Sequence, residues 1–237
     1  MIRYEDYDFV KEILDSEGCI ILPIEISQYS DGKTDILVYP FCDEIAKEFE
    51  LRFALDPFSH EAVDFLYKKL TPIVSELGYS TAGADKHTYC EYRCDSADHS
   101  KILPECVIID SLDGEKWEDL ELDGFELDAS ITTDRMAVIR DDGKIVCYAG
   151  LNDISEEDGL YEITVECDEN YRRRGYAASC VAKLTEYLLS LGEGVKYVCA
   201  EDHEVSGKTA ESAGYGLFRR VLPFVCVRSD ENTETDE

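Results

Sequence analysis

Tyr161–Ala178 reads YEITVECDENYRRRGYAA, and its character changes three times. It opens on an alternation, with Ile163 and Val165 between Glu162, Thr164 and Glu166, the period-two pattern of a strand. A polar turn follows at Asp168-Glu169-Asn170, then three arginines and a glycine, Arg172-Arg173-Arg174-Gly175. Beyond Gly175 the period lengthens to that of a helix. Ala177, Cys180, Val181, Leu184, Leu188 and Leu191 share one face, and Gly192 closes the run. A strand feeding a short basic loop and then a helix is an anion site in outline. The first helical N–H groups have no partner inside the helix, and the helix dipole puts partial positive charge there. Gly175 adds no Cβ where a ligand must come close.

The remainder of the chain constrains what that anion belongs to. Of 237 residues, 44% are hydrophobic, enough for a substantial core. There are 53 acidic and 23 basic side chains, a formal net charge of -30. Such a surface repels nucleic acid and anionic lipid, so neither a nucleic-acid partner nor a membrane is expected. The opening MIRYEDYDFV lacks the basic and apolar regions of a signal peptide, and no apolar run reaches the length of a membrane span. A cytoplasmic location is expected, and the ten cysteines read as reduced thiols rather than a disulfide framework. His87, Cys90, Cys94 and His99 have a spacing that a tetrahedral metal would accept, but no C-x-x-C pair supports it and the segment is strand-like; no metal is expected.

Taken in order, residues 3–15 pattern as a helix and Cys19–Ile26 as a strand, followed by a turn at Ser30–Lys33 and a strand over Asp35–Phe41. Cys42–Leu55 fits two patterns. Ile45 and Phe49 suit a helix, whereas Phe49, Leu51, Phe53 and Leu55 alternate like a strand. Pro57-Phe58-Ser59 starts a helix that Gly78 stops, with a kink expected at Pro72. Residues 88–93 read as a strand, and the polar stretch 95–104 as the boundary between domains. Next come a strand at 106–110, an acidic segment holding Trp117, and a hairpin over 135–149 that turns at Asp141-Asp142-Gly143. After the 161–191 unit, a strand at 195–200, a helix at 205–213 and a strand at 221–227 complete the pattern. The acidic stretch 229–237 reads as a disordered tail.

Arg172, Gly175 and Ala177 form R-x-x-G-x-A between a strand and an amphipathic helix, and this resembles the acetyl-CoA loop of the GNAT superfamily of N-acetyltransferases. A second stretch, His203 and Ser206 through Ala210-Glu211 to Gly214-Tyr215, resembles that family's N-x-x-S-x-x-x-A-E-x-x-G-Y/F helix. The E-I strand, Y-R-x-x-G-x-A loop and A-E-x-x-G-Y helix are similar to the zwittermicin-resistance-like subgroup. The chain departs from the family where His203 replaces the usual Asn, Ala210 stands where many members carry Tyr, and Glu169 where many carry Pro. The implied fold is α/β (α+β), with a mixed, mostly antiparallel sheet flanked by helices over 105–228. Residues 1–104 match no pattern of that family; they are expected to form a separate N-terminal α/β domain that would help to wall the acceptor site.

The resemblance further implies acetyl transfer from acetyl-CoA to a primary amine of a small molecule, by a monomer or homodimer. The cofactor would lie on Arg172, Arg173, Arg174, Gly175, Tyr176, Ala177 and Ala178. Val165 and Cys167 would meet its pantetheine arm as an added strand would, and His203 and Ser206 would flank it. An alkylammonium must lose a proton before it attacks. Glu162 matches the family's strand glutamate and is the expected base, with Glu166 as the other strand carboxylate. Tyr215 or Ser206 would protonate the departing thiolate. A non-catalytic CoA-binding sensor would leave the same loop. Gly207-Lys208-Thr209 imitates the end of a P-loop, but Asp202 occupies the position of its required first glycine.

Overall fold

The computed structural model describes residues 2–4, 20–81, 87–110, 135–154 and 158–228. In chain order its elements are β1 (Ile2–Tyr4), β2 (Ile20–Tyr29), β3 (Thr34–Val38), α1 (Asp43–Phe53), α2 (His60–Glu76), β4 (Tyr79–Ser80) and β5 (Tyr89–Arg93). These are followed by β6 (Val107–Asp110), β7 (Arg135–Asp141), β8 (Lys144–Ile154), β9 (Tyr161–Cys167), α3 (Tyr176–Ser190), β10 (Val195–Ala200), α4 (Glu204–Ser212) and β11 (Gly216–Arg228). They fall into two compact units, one within 1–89 joined by the chain from Arg219, the other Cys90–Phe218.

In the first unit β2 and β3 form an antiparallel hairpin, β1 runs parallel to β3, and β11 runs antiparallel to β2 and β4. Helices α1 and α2 bury Ala46, Phe49, Leu66, Leu70 and Val74 with Ile24, Ile26, Ile36 and Phe224 of the strands. The segment whose sequence fits two patterns is helical. Ala46, Phe49 and Phe53 share its buried face, while Leu51 and Leu55 of the apparent alternation are exposed. α2 starts where the Ser59 side chain accepts from the Ala62 N–H (3.3 Å), and it continues past Pro72 to Glu76. The helix expected over 3–15 is corrected at its start, because Ile2–Tyr4 pair with Ile36–Val38 as a strand; its remainder lies outside the described residues. So do the segment with Trp117 and the expected tail.

In the second unit the strand order is β5-β10-β9-β8-β7-β6. Neighbours from β6 to β9 are antiparallel, and β9 and β10 are parallel. The β7–β8 hairpin turns at Asp142 and Gly143, both with left-handed φ, as a two-residue type I′ turn requires. α3 packs on β7, β8 and β9, placing Cys180, Val181, Leu184 and Leu188 against Ala137, Ile139, Ala149 and Ile163. Cys180, Val181, Leu184 and Leu188 of the stripe its sequence period defines are buried, whereas Ala177 in the first turn is half-buried and Leu191, beyond the helix end, is exposed. A line of thiols runs through this core. Cys106 Sγ lies 3.8 Å from Cys180 Sγ, and Cys147 stands opposite Cys167 across the β8–β9 ladder.

The feature that positions the site is the parting of β9 and β10. Their pairing covers Tyr161–Val195, Glu162–Lys196 and Ile163–Tyr197 and then stops. The remaining residues of each strand, Thr164–Cys167 and Val198–Ala200, are not paired with each other, and an opening lies against Val165–Cys167 and Tyr197.

Candidate active site

A cavity of about 600 Å³ occupies this opening. Val165, Glu166 and Cys167 line it from the end of β9, and Tyr197 from β10. The loop after β9 supplies Tyr171, Arg172, Arg173 and Gly175, and the first turn of α3 supplies Tyr176, Ala177 and Ala178. α4 closes the other side with His203, Val205, Ser206, Lys208, Thr209 and Ser212.

The loop is built to hold its shape. The Asp168 carboxylate accepts from the Asn170 N–H (2.8 Å), and its own N–H bonds Val146 O, fixing the exit from β9. A single 3₁₀ turn, Glu169–Tyr171, reverses the chain, and the Tyr171 hydroxyl donates to Asp141 (2.8 Å). Arg172 Nε donates to Cys167 O (3.1 Å), and its guanidinium lies 3.6 Å from the Glu166 carboxylate. Arg173 takes a left-handed φ of 63° and Gly175 one of 82°, so the backbone turns twice before α3 begins. The first intrahelical bond of α3 runs from the Ser179 N–H to Gly175 O. The N–H groups of Tyr176, Ala177 and Ala178 therefore have no acceptor within the helix, and they sit at its positive end beside Arg172 and Arg173. A Cβ built on Gly175 would meet nothing within 4 Å; the glycine is required by its φ and keeps the approach to these amides open.

Three residues expected at the site do not line the cavity. Arg174 donates to Asn170 O (3.1 Å) and stacks on the Tyr171 ring, so only two of the three arginines serve the cavity. Tyr215 is buried, and its hydroxyl is engaged 2.6 Å from the Thr185 hydroxyl in the core under α3. Burial raises its pKa far above the ordinary phenol range. Glu162 is half-buried on β9, one side chain short of the opening. Asn152 Nδ2 donates to it (3.3 Å), and Lys196 stands opposite it in the ladder. Burial raises the Glu162 pKa above the usual carboxylate value. Lys196 and Asn152 pull it down, and Glu91 and Asp158 push it up. Glu166, four residues further along β9 and one before its end at Cys167, is the strand carboxylate that does line the cavity.

The structure also brings in residues the motifs did not carry. Tyr197 has the strand alternation of β10 as its only sequence signal. Lys208 and Thr209, the false end of a P-loop, reach the cavity because they lie one helical turn beyond Val205 and Ser206. Among the described residues no group of three or more His, Cys, Asp or Glu side chains is arranged to hold a metal ion. Of the four residues with metal-like spacing, His99 contacts Glu186 through Nδ1 (2.7 Å) and Cys90 is buried in the core. No helix among the described residues is long and apolar enough to cross a membrane.

Residues 101–215 match the model of the Acetyltransferase (GNAT) family. The match covers just under half of the chain, and the mixed α/β architecture with a mostly antiparallel sheet agrees with the GNAT acetyltransferase fold. Among solved structures, the chain is similar to a GNAT-family protein of Novosphingobium aromaticivorans at 17% identity, covering 60% of this chain and 65% of that one with a TM-score of 0.41. It is similar to a GCN5-related N-acetyltransferase from Kribbella flavida at 17% identity, covering 67% and 63% with a TM-score of 0.44. A third, from Sphaerobacter thermophilus, is 9% identical, with coverage of 94% and 85% and a TM-score of 0.44. The chain thus spans less than two thirds of the length of the first two. No curated protein matches it.

Proposed function

We propose that the chain transfers an acetyl group from acetyl-CoA to a primary amine of a small molecule. One observation carries this: the cavity between the parted ends of β9 and β10 ends on the amides of Tyr176–Ala178, with Arg172 and Arg173 beside them. That end suits a pyrophosphate, which amides at a helix N-terminus and two guanidiniums would hold. The β9 edge from Thr164 to Cys167, released by β10, suits an extended pantetheine arm bonding as an added strand. The cosubstrate supplies an activated acyl group; the chain binds it, orients it and manages the protons. The resemblance of the strand, loop and α4 motifs supports the zwittermicin-resistance-like subgroup as the nearer relatives.

The base in this reading is a carboxylate of β9. Glu162 is raised in pKa by burial, as a group that must accept a proton near neutrality should be, and Glu166 lines the cavity itself. A second reading, a CoA-binding sensor without catalysis, is favoured by Glu162 lying outside the cavity and bonded to Asn152. Calorimetry and an amine screen separate the two. Acetyl-CoA should bind the wild-type chain, and Gly175→Asp, which sets a negative charge beside the phosphates, should abolish binding while the circular dichroism stays native. Equal affinities in the two proteins would sink the site. Thiol release with an amine marks the enzyme, whereas tight CoA binding with every amine inert marks the sensor.

A further inference from the structure

We infer, resting on the reading of Glu162 as the base, that Asp158 is a positioning residue: it holds the Lys196 ammonium away from Glu162 and leaves that carboxylate without an ion pair. Five charged side chains meet here. Glu91 and Arg93 come from β5, Lys196 from β10, Glu162 from β9, and Asp158 from the turn that leads into β9. They are three carboxylates and two cations, and their contacts decide which carboxylate goes without a cation.

Asp158 takes both. Arg93 Nη2 donates to one of its oxygens (2.8 Å), and Lys196 Nζ (3.4 Å) and the Leu160 N–H (3.2 Å) share the other. Arg93 is itself fixed, with Nε on the Glu91 carboxylate and its guanidinium 3.8 Å from the centroid of the Phe218 ring. Glu162 accepts from Asn152 Nδ2 and makes no ion pair among the described residues. Distance along the sheet does not explain this. Lys196 stands on the Glu162 rung of the β9–β10 ladder, and neighbouring strands lie only about 4.7–4.9 Å apart. Lys196 is buried, so its ammonium requires a carboxylate, and its flexible stem lets it choose between the two. The one it takes is the one that Arg93 and the Leu160 N–H have already fixed in place.

An ammonium seated on Glu162 would favour the charged form and draw its pKa down. With Lys196 turned aside, burial prevails and the Glu162 pKa is raised. Lys196 and Asn152 pull against burial, and Glu91 and Asp158 push with it. Such a carboxylate can take the proton that an alkylammonium loses before its nitrogen attacks. The proton moves from nitrogen to a Glu162 oxygen. Asp158 does not line the cavity and acts through Lys196.

The test titrates Glu162 in the full chain by ¹³C NMR of labelled glutamate carboxyls, its signal assigned by its loss in Glu162→Gln. Asp158→Asn keeps the shape and removes the charge. Lys196 released to Glu162 should raise the acid ionisation constant of that residue about tenfold or more, as an opposite charge within about 4–6 Å does. Loss of the Asp158 charge acts in the same direction by itself, but it is the weakest direct influence on Glu162. Lys196→Met separates the two causes: in its presence Asp158→Asn should keep only a small part of its effect. Equal effects with and without Lys196 would overturn the inference. Lys196→Met alone, with Asp158 intact, should lower the constant by much less than Asp158→Asn raises it. A fall of about tenfold would overturn the inference, since Lys196 would then already act on Glu162, and this arm holds even if Asp158→Asn fails to fold. On a proven amine, the acidic limb of the pH–rate profile should move to lower pH in Asp158→Asn and move back when Lys196→Met is added. A limb that stays in place while the Glu162 titration moves would overturn Glu162 as the base and support the arrangement of charges around it.

Discussion

Glu162 and Lys196 face each other across the second of the three rungs that join β9 and β10, and burial opposes that attraction. Because burial wins, the folded-state pKa of Glu162 lies above its unfolded value, and the charged carboxylate weakens the fold at neutral pH. The contribution that stabilises is present in full below the unfolded pKa and is lost as pH rises through the folded one. Glu162→Gln should therefore raise the melting temperature at pH about 7, and the gain should disappear as pH falls below about 4. Thermal scans across that range check it; a gain that grows toward acid would reverse the assignment. On a proven amine the same substitution should lower kcat by about 10²–10⁴-fold if Glu162 is the base, with acetyl-CoA affinity nearly unchanged. The acidic limb of the pH–rate profile should vanish with it. Wild-type turnover in Glu162→Gln, with a loss in Glu166→Gln, would move the role to the carboxylate that lines the cavity.

α3 is bounded by two glycines with the same backbone requirement and different neighbours. Gly175 at its start has φ 82° and faces the cavity, whereas Gly192 after its end has φ 79° and sits where Gly192 and Glu193 N–H groups bond Leu189 and Leu188 carbonyls. Each as alanine should cost about 1 kcal/mol through φ alone, since neither new methyl meets an atom within 4 Å. Only Gly175→Ala should weaken acetyl-CoA binding, by roughly tenfold or more. Equal binding losses in both would trace the effect to the helix and not to the cavity. Leu184→Ala, at a fully buried position on the same helix, should cost about 2–5 kcal/mol by denaturant titration. What could be read from sequence at this scale follows the same division. The 161–191 unit was legible because its period changes where the structure changes. The 42–55 segment was not, because two exposed leucines mimic an alternation that only burial can dismiss. For Arg174 and Tyr215, motif position gave the location along the chain, but the direction of each side chain is set by Asn170 and Tyr171 in one case and by Thr185 in the other. Tyr197 carries no motif at all; its place depends on where two strands cease to pair.

The molecule as a whole carries a formal charge of -30, and the two arginines at the cavity are a small local exception to it. An incoming anion therefore passes through an unfavourable field before it reaches a favourable one. At low ionic strength the far field dominates, because the screening length is about 30 Å at 0.01 M salt; at 0.15 M it shrinks to about 8 Å, and only the nearby arginines are felt. Added salt should then speed the association of acetyl-CoA, contrary to the usual behaviour of a basic phosphate pocket. A cationic amine experiences the opposite field and should be captured more slowly as salt is added. Stopped-flow association rates at the two ionic strengths would reveal the paired and opposite trends. An acetyl-CoA rate that falls with salt would mean that the arginines, and not the surface, govern the encounter. If the trends hold, the acidic surface sorts the two substrates by sign before either touches the site, and ionic strength sets which of them arrives first.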